Sequence, residues 1–265
     1  LAAGALSPIA TVILIAVTLF CALPTYAQVA RRSFAGQGSI AMLENLLKGW
    51  SAKIFVLVLL GFAATDFIIT VTLSSADAAL HLVENPYLHD TLGTAQFSIT
   101  IGLITLLAAV FLKGFSEAIG LARLIAVPYI GLNFVTLIAG CWKITQNPAV
   151  LSNWSQALHA EGDWTRLILV SALVFPKLAL GMSGFETGVS VMTLVTGGDK
   201  VGAPIPHGRI KNTQKLLASA AVLMSILLLL SSVVRTLLIP HEAYQTGGAA
   251  NGRALSYLAH DLLCS

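Results

Sequence analysis

The chain has few charged residues. Lys, Arg, Asp and Glu make up only 10% of its 265 residues, whereas 56% are hydrophobic and the mean hydropathy is +0.84. Soluble domains carry about 25% charged residues, so this composition cannot cover a water-facing surface. It excludes a soluble enzyme and a disordered regulator, and the net charge of +3 is too small to recruit nucleic acid. The composition indicates a polytopic membrane protein, with the lipid bilayer as its surroundings.

Cysteine and histidine are scarce where catalysis or metal binding would need them. The three cysteines lie far apart, without metal-ligand or disulfide spacing: Cys21, Cys141 and Cys264. All six histidines lie outside the long hydrophobic stretches. The motif Gly181-Met182-Ser183-Gly184 matches the nucleophile pattern of intramembrane serine proteases, but such a serine needs a nearby histidine base. A protease is therefore a remote alternative, and we expect no enzyme activity, no metal site and no cofactor.

Long hydrophobic runs are what the sequence does contain. A bilayer core about 30 Å thick needs about 20 helical residues, and six stretches have roughly that length. Each is apolar on all sides and too long for a barrel strand, so we predict an all-α membrane helical bundle in a single transmembrane domain over residues 1–265. The predicted spans are 8–30, 54–76, 95–112, 124–142, 167–195 and 216–239.

The distribution of Lys and Arg predicts the orientation of these spans. Ten cations lie in the alternate segments 31–53, 113–123 and 199–215. Only four lie on the opposite side, namely Lys143, Arg166, Arg235 and Arg253. Cytoplasmic loops carry the excess of positive charge. We therefore predict a multi-pass protein of the inner (plasma) membrane whose first span enters from the outside.

The second span contains an acidic residue near its middle. A carboxylate there costs about 2.5–3.5 kcal/mol on insertion scales, so such a residue usually faces a cavity or a partner. Asp66 is followed by Thr70 and Ser74 at four-residue spacing, which places all three on one helix face. Their oxygens suit a hard cation or a proton relay. The alternative is a neutral Asp with hydroxyl groups that join neighbouring helices.

The fifth span is broken in composition. Gly181, Gly184 and Gly188 lie within eight residues of each other, and each glycine weakens a helix by about 1 kcal/mol relative to Ala. Glu186 adds an ionisable group in the same stretch. Spans interrupted by glycine unwind near the midplane of many transporters and expose backbone groups to substrate. Close crossing of helices at small residues is the other explanation.

Several motifs follow one another in a specific order. Gly36-Gln37-Gly38-Ser39 and Leu43-Glu44-Asn45-Leu46 come after the first span, Asp66-Phe67-Ile68-Ile69-Thr70 lies in the second, and Ser183-Gly184-Phe185-Glu186 lies in the fifth. Together with the stretches 208–215 and 251–255, they resemble the amino acid–polyamine–organocation (APC) permease superfamily. The Asp66 stretch is similar to that of one bacterial branch, which includes potassium importers.

The resemblance implies a fold and a site. The six stretches would be the family's spans two to seven in a five-plus-five inverted repeat, so we expect a fragment that lacks span one and everything after span seven. Substrate contacts would fall on Gly181, Ser183 and Gly184. Ion coupling would fall on Asp66, Thr70, Ser74 and Glu186, with Glu186 structural or proton-linked. Gln37 and Lys177 depart from the family pattern.

The function implied is secondary active transport by alternating access. The leading interpretation is proton-coupled amino acid uptake, a symport in which a proton or monovalent cation is the coupling ion. The alternative is proton-coupled potassium uptake by the same fold. The partners we expect are a small-molecule or cation substrate and the lipid bilayer, with no nucleic acid.

Overall fold

The computed structural model describes residues 4–35, 38–40, 49–85, 88–160, 163–178, 183–198, 205–245 and 248–263. Within these ranges the regular structure is helical and contains no strand. The predicted all-α fold is therefore confirmed.

Nine helices of eight residues or more account for most of the described chain. They are α1 Gly4–Arg32, α2 Trp50–Val83, α3 Gln96–Lys113, α4 Phe115–Gln146, α5 Ala149–Ala160, α6 Trp164–Leu178, α7 Ser183–Ser190, α8 His207–Leu238 and α9 Ala254–Leu263. Short helical turns at His89–Leu92, Val191–Leu194 and His241–Tyr244 connect some of them.

Five of these helices are long and apolar enough to cross a membrane, as judged within the described part of the chain: α1, α2, α3, α4 and α8. They correspond to the first four predicted spans and to the sixth. The fifth predicted span, 167–195, contains α7 and most of α6, which lie on either side of residues 179–182. Those four residues are outside the described ranges, and so is the break predicted at Gly181.

Helix α1 contains a wider turn in its second half. Residues Thr18–Ala22 form a π turn, in which the Leu23 amide donates to the carbonyl oxygen of Thr18, five residues earlier. Pro24 follows immediately and is in the first turn of the next α-helical segment. Because proline has no amide hydrogen and its ring collides with the carbonyl four residues earlier, it disrupts a regular α-helix at this point. The π turn is a local solution to that conflict.

The described residues divide into two compact units. One comprises residues 1–8, 68–167 and 230–265, and in it α4 packs against α3 and α9. Leu258 of α9 is fully buried, and the Lys143 ammonium group lies 2.8 Å from the Asp261 carboxylate. That ion pair is half-exposed and is worth about 0.2–1 kcal/mol, so apolar burial contributes more than the ion pair to holding α9 on α4.

The second unit comprises residues 9–67 and 168–229. Its buried core joins α1, α7 and α8 through apolar side chains that include Val29, Val189 and Leu217. The Gln214 side-chain amide of α8 donates to the Ala27 carbonyl of α1 at 2.8 Å. The end of α1 is thus fixed by both apolar packing and a hydrogen bond.

Apolar side chains on α2 and α3 point outward in large numbers. The most hydrophobic window of α2 is 6% buried and that of α3 is 0% buried, and Phe62 exposes 70% of its surface. Burying such surface is favourable by about 25 cal/mol per Å². These faces therefore require lipid or another apolar surface around them.

Candidate functional site

The second unit brings together two motifs that lie 147 residues apart in the sequence. Glu186 of α7 accepts two hydrogen bonds from Ser39, which lies in the short helical stretch 38–40. The Ser39 amide donates to Oε1 at 3.1 Å, and the Ser39 hydroxyl donates to Oε2 at 2.9 Å. The contact is partly buried, so each bond is less weakened by competing water than a surface bond would be.

Tyr26 of α1 completes the surroundings of this carboxylate. Its ring stacks on the Phe185 ring with centroids 5.6 Å apart and an interplanar angle of 17°. Phe185 directly precedes Glu186 in α7, so the tyrosine ring lies beside the residue next to the carboxylate. Phe185 is 5% exposed and belongs to the core of the unit. The stacked rings therefore hold Tyr26 against α7 next to Glu186.

Gly38 allows the close approach of the two segments. Its φ of +73° lies in the left-handed region, which side-chain-bearing residues rarely adopt. A Cβ atom at this position would lie 2.6 Å from Glu186 Oε1. Only glycine meets both conditions, so the glycine-rich motif serves the contact between Ser39 and Glu186.

The chemistry available here is that of a carboxylate surrounded by donors. A backbone N–H can only donate, and an ionised carboxylate can only accept. The Ser39 amide therefore fixes Oε1 as an acceptor. Oε2 faces a hydroxyl, which can either donate or accept, so this oxygen can take up a proton without losing its partner. Within the described residues, no three His, Cys, Asp or Glu side chains lie together as a metal site would require.

A family model described as amino acid permease matches residues 1–259 of the chain. The protein belongs to the amino acid permease family. The predicted membership of the APC superfamily is therefore confirmed. Comparison with curated proteins and with solved structures finds no significant match. As a member of this family with five helices long and apolar enough to cross a membrane among its described residues, the protein is a multi-pass membrane transporter for a small-molecule substrate.

The permease carries the predicted Asp66, Thr70 and Ser74 on the single helix α2. Asp66 and Ser74 are exposed, and Thr70 is partly exposed. On the same helix, the hydroxyls of Thr65 and Thr72 donate to carbonyl oxygens four residues earlier at 2.8 Å. The Thr70 hydroxyl is buried and has no hydrogen-bond partner among the described residues. It therefore differs from the other threonines of α2.

The substrate residues predicted from the sequence of the permease are only partly described. Gly181 lies outside the described residues. Ser183 is the first residue of α7, but its side chain is outside the described part. Gly184 is exposed, and an added Cβ would meet no atom within 4 Å, so the backbone there is open to approach. Gln37 lies outside the described residues, as does the side chain of Lys177.

Sequence reasoning missed Tyr26 and Ser39 as parts of this site in the permease. The last part of α1, Leu23–Arg32, has polar residues in a span that is otherwise apolar, and Tyr26 is among them. This change from apolar to polar residues was the sequence signal that could have pointed to Tyr26. For Ser39 the glycine-rich motif was visible, but its partner lies 147 residues further along the chain. Tertiary structure alone provides that pairing.

Proposed function

We propose that the permease is a secondary active transporter that couples amino acid uptake to the entry of protons. The observation that carries the proposal is the partly buried Glu186 carboxylate, which accepts hydrogen bonds from the amide and the hydroxyl of Ser39. Ionisable groups inside membrane proteins commonly mark proton relays. Glu186 and Asp66 are the two acidic residues to which the proposal assigns the loading and release of a proton.

The amino acid substrate is supported by the family description and by the start of α7. Backbone N–H groups in the first turn of a helix are free to bind an anion, and the helix dipole favours negative charge there. Gly184 lies in that turn and is open to approach. We assign the substrate carboxylate to this turn, with Gly181 and Ser183 as further contacts. Alternating access would then expose the site to each side of the membrane in turn.

Potassium uptake is the second candidate. The specific observation in its favour is the Thr70 hydroxyl, which is buried without a hydrogen-bond partner among the described residues. Asp66 and Ser74 lie four residues before and after it. Hydroxyl and carboxylate oxygens suit a hard monovalent cation as well as a proton.

The experiment uses the full-length protein in liposomes with an imposed inward proton gradient. Uptake of a radiolabelled amino acid mixture and of a potassium tracer is followed for wild type and Asp66→Asn. Asp77→Asn is the matched control, because Asp77 lies on the same helix but near its end, where it pairs with His81. We expect amino acid accumulation in wild type and in the control.

In Asp66→Asn we expect exchange of amino acids to persist while proton-driven accumulation is lost. Potassium uptake that the substitution abolishes would instead support the second candidate. If the gradient drives neither substrate in wild type, the proposed coupling is wrong.

A further inference from the structure

One side of α8 changes from charged to apolar along its length. Lys211 and Lys215 lie four residues apart in the first three turns of the helix, and both are exposed. At 3.6 residues per turn, Val222, Ile226 and Leu229 fall within about 60° of Lys211 around the helix axis. These three apolar side chains expose 50%, 44% and 36% of their surface. Two ammonium groups therefore stand at one end of an exposed apolar strip.

The opposite side of α8 is the one that packs against the second unit. Thr213, Leu217 and Ala221 are buried, and their positions lie roughly half a turn away from the lysines around the axis. Leu217 and Ala221 belong to the core that α8 forms with α1 and α7. The described residues of this unit therefore leave the lysines and the apolar strip uncovered.

A third cation lies at the level of the lysines. The hydrogen bond from the Gln214 side chain to the Ala27 carbonyl places these two residues at the same height. Arg31, which is exposed, follows Ala27 by four residues, and Lys211 precedes Gln214 by three. The segments that contain Arg31 and Lys211 are predicted to lie on the same side of the membrane. At about 1.5 Å per residue, the two cations lie about 6 Å and about 4.5 Å beyond the contact.

The protein supplies no acidic partner for these cations from the helices that carry them. Helices α1 and α8 contain no Asp or Glu. None of Arg31, Lys211 and Lys215 forms an ion pair with a residue that the structure describes. Positive charge at the edge of a bilayer attracts anionic lipid headgroups. The end of the apolar strip is therefore suited to an anion from outside the chain.

We propose that this side of α8 is a binding site for an anionic phospholipid, whose phosphate group lies at Lys211 and Lys215 and whose acyl chain follows Val222 and Ile226. The lengths agree. The two apolar residues lie about 10 Å and about 16 Å beyond Lys215 along the helix, and one leaflet is about 15 Å of a hydrocarbon core about 30 Å thick. A free phosphate ion would engage the cations alone, whereas a phospholipid also covers the apolar strip. The site goes beyond the proposed transport function, because it requires neither substrate nor proton.

The test measures how much phosphatidylglycerol and how much phosphatidylcholine the full-length protein binds in a neutral detergent, by native mass spectrometry. Lys211→Gln/Lys215→Gln removes both ammonium groups. Both positions are exposed, and glutamine forms helices about as well as lysine, so the unfolding temperature should match wild type. The matched control is Lys53→Gln/Lys113→Gln, which removes two exposed cations from the same predicted side. Lys211→Arg/Lys215→Arg keeps the charge.

We expect wild type to prefer phosphatidylglycerol over phosphatidylcholine by about tenfold, because each cation near the membrane surface adds to the attraction. The double glutamine variant should lose this preference and bind phosphatidylcholine as wild type does. The arginine variant and the control should keep it. A preference that survives in Lys211→Gln/Lys215→Gln would overturn the proposal, and so would an equal loss in the control, which would indicate general attraction to a positive surface.

Two further measurements complete the test. Glycerol phosphate, the soluble headgroup, is added in large excess to the lipid-bound protein and should leave the lipid in place. Displacement would mean that the site recognises phosphate alone, against the assignment to a lipid. If the double glutamine variant unfolds at a lower temperature than wild type, the single variants Lys211→Gln and Lys215→Gln replace it. Each should lose part of the preference, and an unchanged preference in both would refute the site.

Discussion

At the scale of single residues, Gly38 decides how closely the stretch 38–40 approaches α7. Two separate demands meet at this position: a left-handed backbone and the absence of a Cβ atom next to the Glu186 carboxylate. Gly198 has a similar φ of +67°, but nothing lies within 4 Å of its Cβ position. Comparing substitutions at Gly38 and Gly198 therefore separates the cost of the left-handed backbone from the cost of the steric contact with Glu186.

Gly38→Ala should destabilise the protein more than Gly198→Ala does. A left-handed conformation costs a side-chain-bearing residue about 1–2 kcal/mol, and both variants carry that cost. Gly38→Ala additionally displaces Glu186 from Ser39, so we expect proton-driven uptake to fall at least tenfold in this variant alone. Thermal unfolding in detergent and uptake in liposomes measure the two effects. Equal uptake by the two variants would show that the distance between Gly38 and Glu186 is irrelevant to transport.

At the scale of elements, Gly140 sets the separation between α4 and the last part of α8 within the first unit. An added Cβ at Gly140 would overlap a methyl group of Val234, which is fully buried. Small residues at such crossings let helix backbones approach closely in membranes. Gly131 lies on the same helix, is exposed, and has open space at its Cβ position.

Gly140→Ala should therefore lower stability, whereas Gly131→Ala should not. Overpacking in a filled interface costs about 1–3 kcal/mol, so Gly140→Ala should lower the unfolding temperature. Alanine is a better helix former than glycine by about 1 kcal/mol, so Gly131→Ala should leave that temperature unchanged or raise it. Unfolding in mixed detergent micelles provides the comparison. An unfolding temperature that does not fall in Gly140→Ala would mean that α4 and α8 can move apart at this point without a loss of stability.

The sequence predicted the positions of the membrane-spanning helices better than their full lengths or their local irregularities. The apolar run 54–76 identified α2, but the helix extends over Trp50–Val83, because Lys53 and Asp77 continue a helix as readily as apolar residues do. Hydropathy detects only the part that belongs in lipid. The π turn at Thr18–Ala22 was not predicted, since its cause is one proline and its form depends on the helix around it. The acidic residues of the site were found from their cost in a membrane, whereas their hydrogen-bond donors required the tertiary structure.

At the scale of the whole molecule, the arrangement of charge predicts how the chain crosses the membrane. The segments 31–53, 113–123 and 199–215 carry ten cations and should face the cytoplasm. The segment between α4 and α5 should face the outside. Lys53 and Asn147 are exposed positions on the two predicted sides.

Single cysteines at these two positions should react on opposite sides of the membrane. In a background where Cys21, Cys141 and Cys264 are replaced by alanine, Asn147→Cys should react with an impermeant maleimide in intact cells. Lys53→Cys should react only after the membrane is opened, and the cysteine-free background is the control for labelling. Reaction of Lys53→Cys in intact cells would reverse the predicted orientation.

The π turn in α1 has a consequence for any experiment that scans this helix residue by residue. A turn that contains one more residue than an α-helical turn leaves each later residue about 100° behind the place that a regular α-helix would give it. Tolerance to substitution along α1 should therefore follow one periodic pattern up to Val17 and the same pattern displaced by one position after Leu23. A one-residue deletion within Thr18–Ala22 would bring the two patterns back into phase and would leave Tyr26 on the helix face that packs against Phe185.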